Sequence, residues 1–178
     1  MTDQELLEGC KAKDPIAQRH LFQKYSRKLM GICRRYTQNK EDAEDVFQEA
    51  FVRVFKSLAT VQKIDSLEVW IKKIVIHTAI NYFHRHKKHY GHYNQDFLIQ
   101  PTNGDELILS KLSNEELLQV VQSLPDGYRM VFNLFVVEGY AHKEIAKLLK
   151  VSESTSKTQL LKAKKMLKKR FKKLEIIR

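Results

Sequence analysis

The stretch GYAHKEIAKLLKVSESTSKTQLLKAKKMLKKRF, Gly139–Phe171, holds a short apolar-periodic segment, a break and a longer basic segment. Ile145, Ala146, Leu148 and Leu149 recur at helical spacing in the first segment, and KVSES interrupts it. Leu160, Leu161, Ala163, Leu167 and Phe171 supply the inner face of the second. Ala146 is small enough to let a second helix cross closely, and Ser152 can cap that helix by accepting a backbone N–H. This is the layout of a helix-turn-helix, whose second helix enters the major groove N-terminal end first. Lys157, Thr158, Lys162 and Lys164 would then point towards DNA. The plainer alternative is a helical hairpin with a solvated lysine face.

The charge of the whole chain favours the first reading. A net charge of +11 over 178 residues suits an acidic partner such as nucleic acid or an anionic membrane. Hydrophobic residues make up 43%, enough for a sizeable core. No apolar run approaches the ~18 residues that span a bilayer, and the acid-bearing first twenty residues do not read as a secretory signal. Cys10 and Cys33 form no CxxC, which fits small buried hydrophobes in a reduced cytosolic protein. The charge is also segregated. Glu41 to Thr60 holds five acids and two bases, while Lys72 to His92 holds five Lys or Arg, five His and no acid. Asp105 to Asp126 turns acidic, and Gly139 to Arg178 has thirteen bases against three acids. Such alternation predicts separate faces for separate partners.

Outside one central segment the pattern is helical, and the predicted fold class is all-α. Asp14-Pro15 is an N-cap followed by proline in the first turn. Leu21, Phe22, Tyr25, Leu29, Ile32 and Cys33 follow at three- and four-residue spacing. A helix from near Asn39 carries Val46, Phe47, Ala50, Phe51, Val54 and Phe55. Another, from near Ser66, carries Leu67, Trp70, Ile71, Ile74, Val75 and Thr78, which reads Trp70 as core. Further helices lie in SNEELLQVVQSLPDGYRMVFNLFVVEGY, the second starting near Pro125. Between them HYGHYNQDFLIQPTNGDE loses periodicity and contains Asn103-Gly104, a turn dipeptide. The expected organisation is two small helical domains, 1–88 and 113–178, joined by a flexible linker, 89–112, with a short ordered patch at Phe97 to Ile99. The helix-turn-helix lies in the second domain.

Two separated motifs carry a family resemblance. NKEDAEDVFQEAFVRVFKSL, followed by Trp70, resembles region 2 of bacterial RNA polymerase sigma factors, and LPDGYRMVFNLFVVEGYAHKEIAKLLKVSESTSKTQLLKAKKML resembles their region 4. The order and spacing are similar to the extracytoplasmic-function (ECF) group, over about Arg19 to Lys88 and Leu112 to Phe171. The resemblance implies a non-catalytic initiation subunit that directs core polymerase to promoters by recognising −35 and −10 elements and assisting melting. In the family the DAED…QE helix docks on a coiled coil of the largest polymerase subunit. Asp45, Gln48, Glu49 and Val52 share one helical stripe here, polar and acidic opposite the apolar one, which suits a basic partner.

For the −10 element the family uses the loop before the tryptophan and the helix after it. The corresponding residues are Lys63, Ile64 and Asp65, then His77, Asn81, Arg85 and Lys88. Unstacking a base costs a few kcal/mol, so a protein pocket must offset it. TVQKIDSL departs from the family's glycine- and arginine-containing loop, and His77 stands where asparagine is common. For the −35 element the implied contacts are His142 and Lys143, then Lys157, Thr158, Gln159, Leu161, Lys162 and Lys164. Ser156 replaces a frequent valine. Gln159 replaces a frequent arginine and could read adenine by a bidentate bond. Lys150 occupies a turn position where glycine is frequent, so the turn either avoids a left-handed residue or tolerates strain.

FHRHKKHYGH, Phe83 to His92, raises the alternative of a metal site. His86 and His89 are three apart, no carboxylate or cysteine is near in sequence, and Arg85, Lys87 and Lys88 would repel a divalent cation. Phosphate contact is the better reading, so no metal and no cofactor are expected. A metal-dependent enzyme also lacks any HExxH, nucleophile motif or phosphate-binding glycine loop. A free-standing helix-turn-helix regulator would leave the acidic stripe unexplained, and no dimerisation element is evident. The expected partners are core RNA polymerase, promoter DNA and an anti-sigma factor, with no membrane insertion and no obligate homo-oligomer. The expected location is the cytoplasm, at the nucleoid through polymerase.

Overall fold

The computed structural model describes residues 1–61, 64–86 and 113–176. All regular structure among them is helical, as the periodicity predicts. The segment read as a linker, the ordered patch at Phe97 to Ile99, and Lys63, Lys87, Lys88 and His89 lie outside the described residues. Among the described residues no helix is long and apolar enough to cross a membrane. The chain divides into two compact units, Met1–Tyr82 and Phe83–Arg178.

The first unit begins with α1, Asp3–Lys11, started by a capping box between Thr2 and Glu5. α2, Pro15–Tyr36, starts where Asp14 accepts the Ile16 N–H. α3, Lys40–Leu58, starts where Asn39 accepts the Asp42 N–H at 2.7 Å. α4, Leu67–His86, follows Ser66, whose carbonyl accepts the Trp70 N–H. Three of these starts are the ones the sequence predicts, because a cap is satisfied within three residues of itself. The core joins Leu21, Leu29 and Cys33 of α2 to Val46, Ala50 and Val54 of α3 and to Ile71 and Val75 of α4, all nearly inaccessible. A glycine permits the packing of α1. A Cβ on Gly9 would lie 2.5 Å from the Ala17 Cβ, far inside contact distance.

Both cysteines are buried and unbridged. Burial pushes the Cys33 thiol up to about 12. The Tyr25 hydroxyl, which donates to Asp3 at 3.1 Å, is likewise pushed up to about 12, by burial first and then by Asp3.

The second unit holds α5, Asn114–Gln122, and α6, Asp126–Phe132. A π-helical turn at Asn133–Val137 leads into α7, His142–Leu149, and α8, Glu153–Ile176. Leu124, Met130, Leu134, Ile145, Leu149, Ala163 and Leu167 are buried at its centre. The turn at LPDGYR is held by Arg129, a residue the sequence reading did not single out. It is 3% exposed. Its guanidinium donates to the carbonyls of Leu124, at 2.7 Å, and Gln122, at 3.0 Å, and pairs with the Asp126 carboxylate. A buried cation needs this many acceptors to offset its lost hydration.

Candidate functional site

The α3 stripe comes together as its spacing predicts. Asp45 and Gln48 are exposed, Val52 is 53% exposed, and Glu49 is half-buried beside them. The opposite face, with Val46, Ala50 and Val54, is wholly covered. Glu49 accepts from Arg53 at 2.7 Å, so one of the two acids is partly neutralised on its own helix. Asp42, one turn earlier, is engaged internally: it accepts from the Asn39 side chain and, at 2.6 Å, from the Tyr82 hydroxyl of α4. The acidic face thus presents Asp45 and Glu49 with an exposed apolar residue, Val52, one turn on.

On α4 the buried side is wide, taking in Leu67, Ile71, Val75, Ile76, Thr78, Ala79 and Ile80. Beyond the exposed Glu68, what remains is a narrow stripe of exposed Val69, Lys73, His77, Asn81 and Arg85, each four residues from the last. Trp70 corrects the sequence reading. It is half-buried, not core, and lies three residues before Lys73 and seven before His77, on the edge of the polar stripe. Leu67, Ile71, Val75 and Thr78 fill the core, which leaves Trp70 and Ile74 on its margin. Lys73 and Trp70 were legible in the 70-73-77-81 spacing, but Trp70 fits the apolar series equally well. Of the loop residues, Asp65 is exposed and Ile64 half-buried.

α7 and α8 form the helix-turn-helix. Lys150 resolves the alternative the sequence left open: it is left-handed, at φ 55° and ψ 49°. Its N–H and that of Val151, the latter at 3.0 Å, both reach the Ala146 carbonyl, closing the end of α7 and offsetting the cost of a non-glycine residue there. Ser152 accepts the Thr155 N–H at 3.0 Å, the predicted cap of α8. Lys143, Lys157, Thr158 and Lys164 are exposed, while Leu161 and Lys162 are half-buried.

Two further predicted contacts are engaged inside the domain. The Gln159 amide lies against Gly127 of α6, where a Cβ would be only 2.9 Å from its nitrogen. The His142 ring stacks on Phe135 at 4.5 Å between centroids and 22° between planes. Its Nδ1 lies 2.9 Å from the Ser156 hydroxyl. Burial of the ring, with Lys157 and Lys164 outweighing Glu153, lowers its affinity for a proton. Among the described residues no group of three or more His, Cys, Asp or Glu is placed to hold a metal ion.

Comparison with known proteins agrees with this division. The family model for Sigma-70 region 2 matches residues 21–89, and that for Sigma-70, region 4 matches residues 114–167. Together they span more than half of the chain. The ECF RNA polymerase sigma-E factor of Escherichia coli strain K12 is 25% identical over 175 residues, covering 92% of this chain and 91% of the relative. That of Haemophilus influenzae is 24% identical, covering 94% of each. Among solved structures, CnrH in complex with the cytosolic domain of CnrY matches with a TM-score of 0.51 at 17% identity, over 96% of this chain and 97% of that one. The chain belongs to the ECF sigma factors, non-enzymatic subunits that join core RNA polymerase and direct promoter-specific transcription initiation.

Proposed function

We propose a division of labour in which the α3 stripe docks on polymerase, the α4 stripe handles the −10 element and α8 reads the −35 element. The observation that carries this reading is the segregation of three differently built surfaces. Asp45, Gln48, Glu49 and Val52 offer an acidic face with an exposed apolar residue at one end, suited to a basic coiled coil of the largest polymerase subunit. Lys73, His77, Asn81 and Arg85, with the loop residues Ile64 and Asp65, face a single strand, and the resemblance assigns Lys63 and Lys88 to the same element. Trp70 at the edge of that stripe gives an extruded base a surface to stack on, which is worth about 1–3 kcal/mol. Lys143, Lys157, Thr158, Leu161, Lys162 and Lys164 face duplex DNA. Gln159 and His142, packed within the domain, shape that surface more than they touch bases.

In this reading 1–88 is the docking and melting domain, 113–178 the −35 domain and 89–112 the connection. The protein works in the cytoplasm, at the nucleoid when bound to polymerase. An anti-sigma partner belongs to the same picture. The sequence resembles a group commonly held by membrane-linked inhibitors, and CnrH, whose fold it shares, was solved with the cytosolic domain of a second protein.

Run-off transcription with purified core enzyme on a promoter library randomised at both elements tests the assignment. Enriched templates should share a −35 and a −10 motif at one spacing, and substitution of Lys157 or Thr158 should alter only the first. Substitution of Trp70 or His77 should alter only the second. A library whose enrichment ignores these substitutions would overturn the assignment.

A further inference from the structure

We propose that His142 is a positioning residue for −35 recognition: held on Phe135, it fixes the first turn of α8 through the buried hydroxyl of Ser156. This rests on the reading of α8 as the −35 helix and goes one step beyond it. Ser156 is 0% exposed. A buried hydroxyl needs a partner, and an apolar side chain of similar size would need none. The partner is His142 Nδ1 at 2.9 Å, from the first residue of α7, fourteen positions away in sequence.

The ring that makes this bond is itself immobilised. It lies nearly parallel to Phe135 at 4.5 Å, and Phe135 belongs to the π-helical turn. That turn is closed by hydrogen bonds from the Glu138 N–H to Asn133, at 3.0 Å, and from the Tyr140 N–H to Leu134, at 2.9 Å. Gly139, at φ 77°, supplies the left-handed residue that lets the chain turn from it into α7. One side chain therefore ties the π turn, the start of α7 and the start of α8 together.

The consequence falls on the neighbours of Ser156. Lys157 and Thr158, the next two residues, are exposed at the groove-entering end of α8. Base readout requires such groups to be held to within about 0.5 Å. A tie at Ser156 acts directly on that placement. A direct phosphate contact by His142 is the competing role, but the half-buried ring beside Lys157 and Lys164 is disfavoured as a cation.

The test uses holoenzyme reconstituted from core and the full chain. It binds a duplex carrying the −35 motif selected from the library and one with that motif scrambled, across a salt series. H142F keeps the stack and deletes Nδ1; S156A deletes only the hydroxyl; H142N places an amide about where Nδ1 lay. H142F and S156A should each lower the ratio of selected to scrambled affinity, on the order of tenfold. The double variant should lower it no further, because both changes delete one bond. H142N should restore most of the ratio, and the salt slope should not move.

A slope reduced by about 0.9 in H142F would mean a phosphate contact instead. Additive losses, or equal losses on both duplexes, would also refute the tie. If H142F fails to fold by circular dichroism, S156A alone decides, and an unchanged ratio overturns the proposal. Variants that match a discriminating wild type defeat only this inference, whereas a wild type that ignores the −35 motif defeats the underlying reading as well.

Discussion

Reversing Asp45 and Glu49 to lysine should abolish polymerase binding while leaving the protein folded, and the structure sets both sides of that comparison. Asp45 is exposed on α3 beyond its first turn, so its reversal should shift stability by only about 0.5 kcal/mol. Glu49 is paired with Arg53 at 2.7 Å, with the two side chains 29% and 41% exposed. Losing an i,i+4 pair of that exposure costs about 0.3–0.5 kcal/mol, and a lysine there adds a like-charge repulsion of similar size. The folding cost therefore sums to about 1.5 kcal/mol at most. Across the docking interface, like charges facing each other cost several kcal/mol. At 1.4 kcal/mol per decade that is a loss of about a hundredfold or more in affinity. Co-migration with core measures binding, circular dichroism measures helicity, and run-off measures transcription, all on one preparation. A helical double variant that still co-migrates and initiates normally would refute the docking assignment.

Lys157→Ala and Lys162→Ala should weaken −35-dependent binding but not polymerase docking, and each lysine that contacts phosphate should lower the salt slope by about 0.9. Unchanged slopes in both would place α8 outside the groove. Gly9→Ala should lower the thermal midpoint, because the new Cβ meets the Ala17 Cβ at 2.5 Å. Overpacking of this kind costs about 1–3 kcal/mol, against a helix-propensity gain of about 1 kcal/mol; a raised midpoint would count against the close packing of α1 on α2. Cys10 and Cys33, 4% and 0% exposed, should be silent to a thiol reagent until the protein unfolds. Fast labelling of the native chain would contradict their burial.

The same burial gives a pH dependence. Cys33 and Tyr25 both have folded values raised to about 12, so folding favours their protonated forms. Stability is held in full below their ordinary values and falls as pH climbs from there towards about 12. Denaturant unfolding followed across that range checks the sign, and stability that rises with pH there would be the wrong result.

The sequence by itself determined the starts of α2, α3, α4 and α8, the two-domain all-α class, the helix-turn-helix and the family. Those features are encoded locally. Asp14-Pro15, Asn39 and Ser152 satisfy backbone donors within three residues of themselves. The α3 stripe follows from a period that needs no partner to be read. The capping box of Thr2 and Glu5 was equally local, but α1 was not among the helices expected from the sequence. Tertiary structure decided what lies at the margins. Periodicity gives the direction of an apolar face but not how far a neighbouring helix covers its edges. Trp70 therefore fits both the core series and the polar stripe of α4, and only packing leaves it half-exposed. The left-handed Lys150 depends on a carbonyl four residues back being open to accept two N–H groups. Gln159 against Gly127 and His142 against Ser156 and Phe135 join residues that are remote in sequence. Whether a polar side chain on a DNA-binding helix faces the groove or its own domain is settled by whether a partner inside reaches it first, and only the folded chain brings that partner into range.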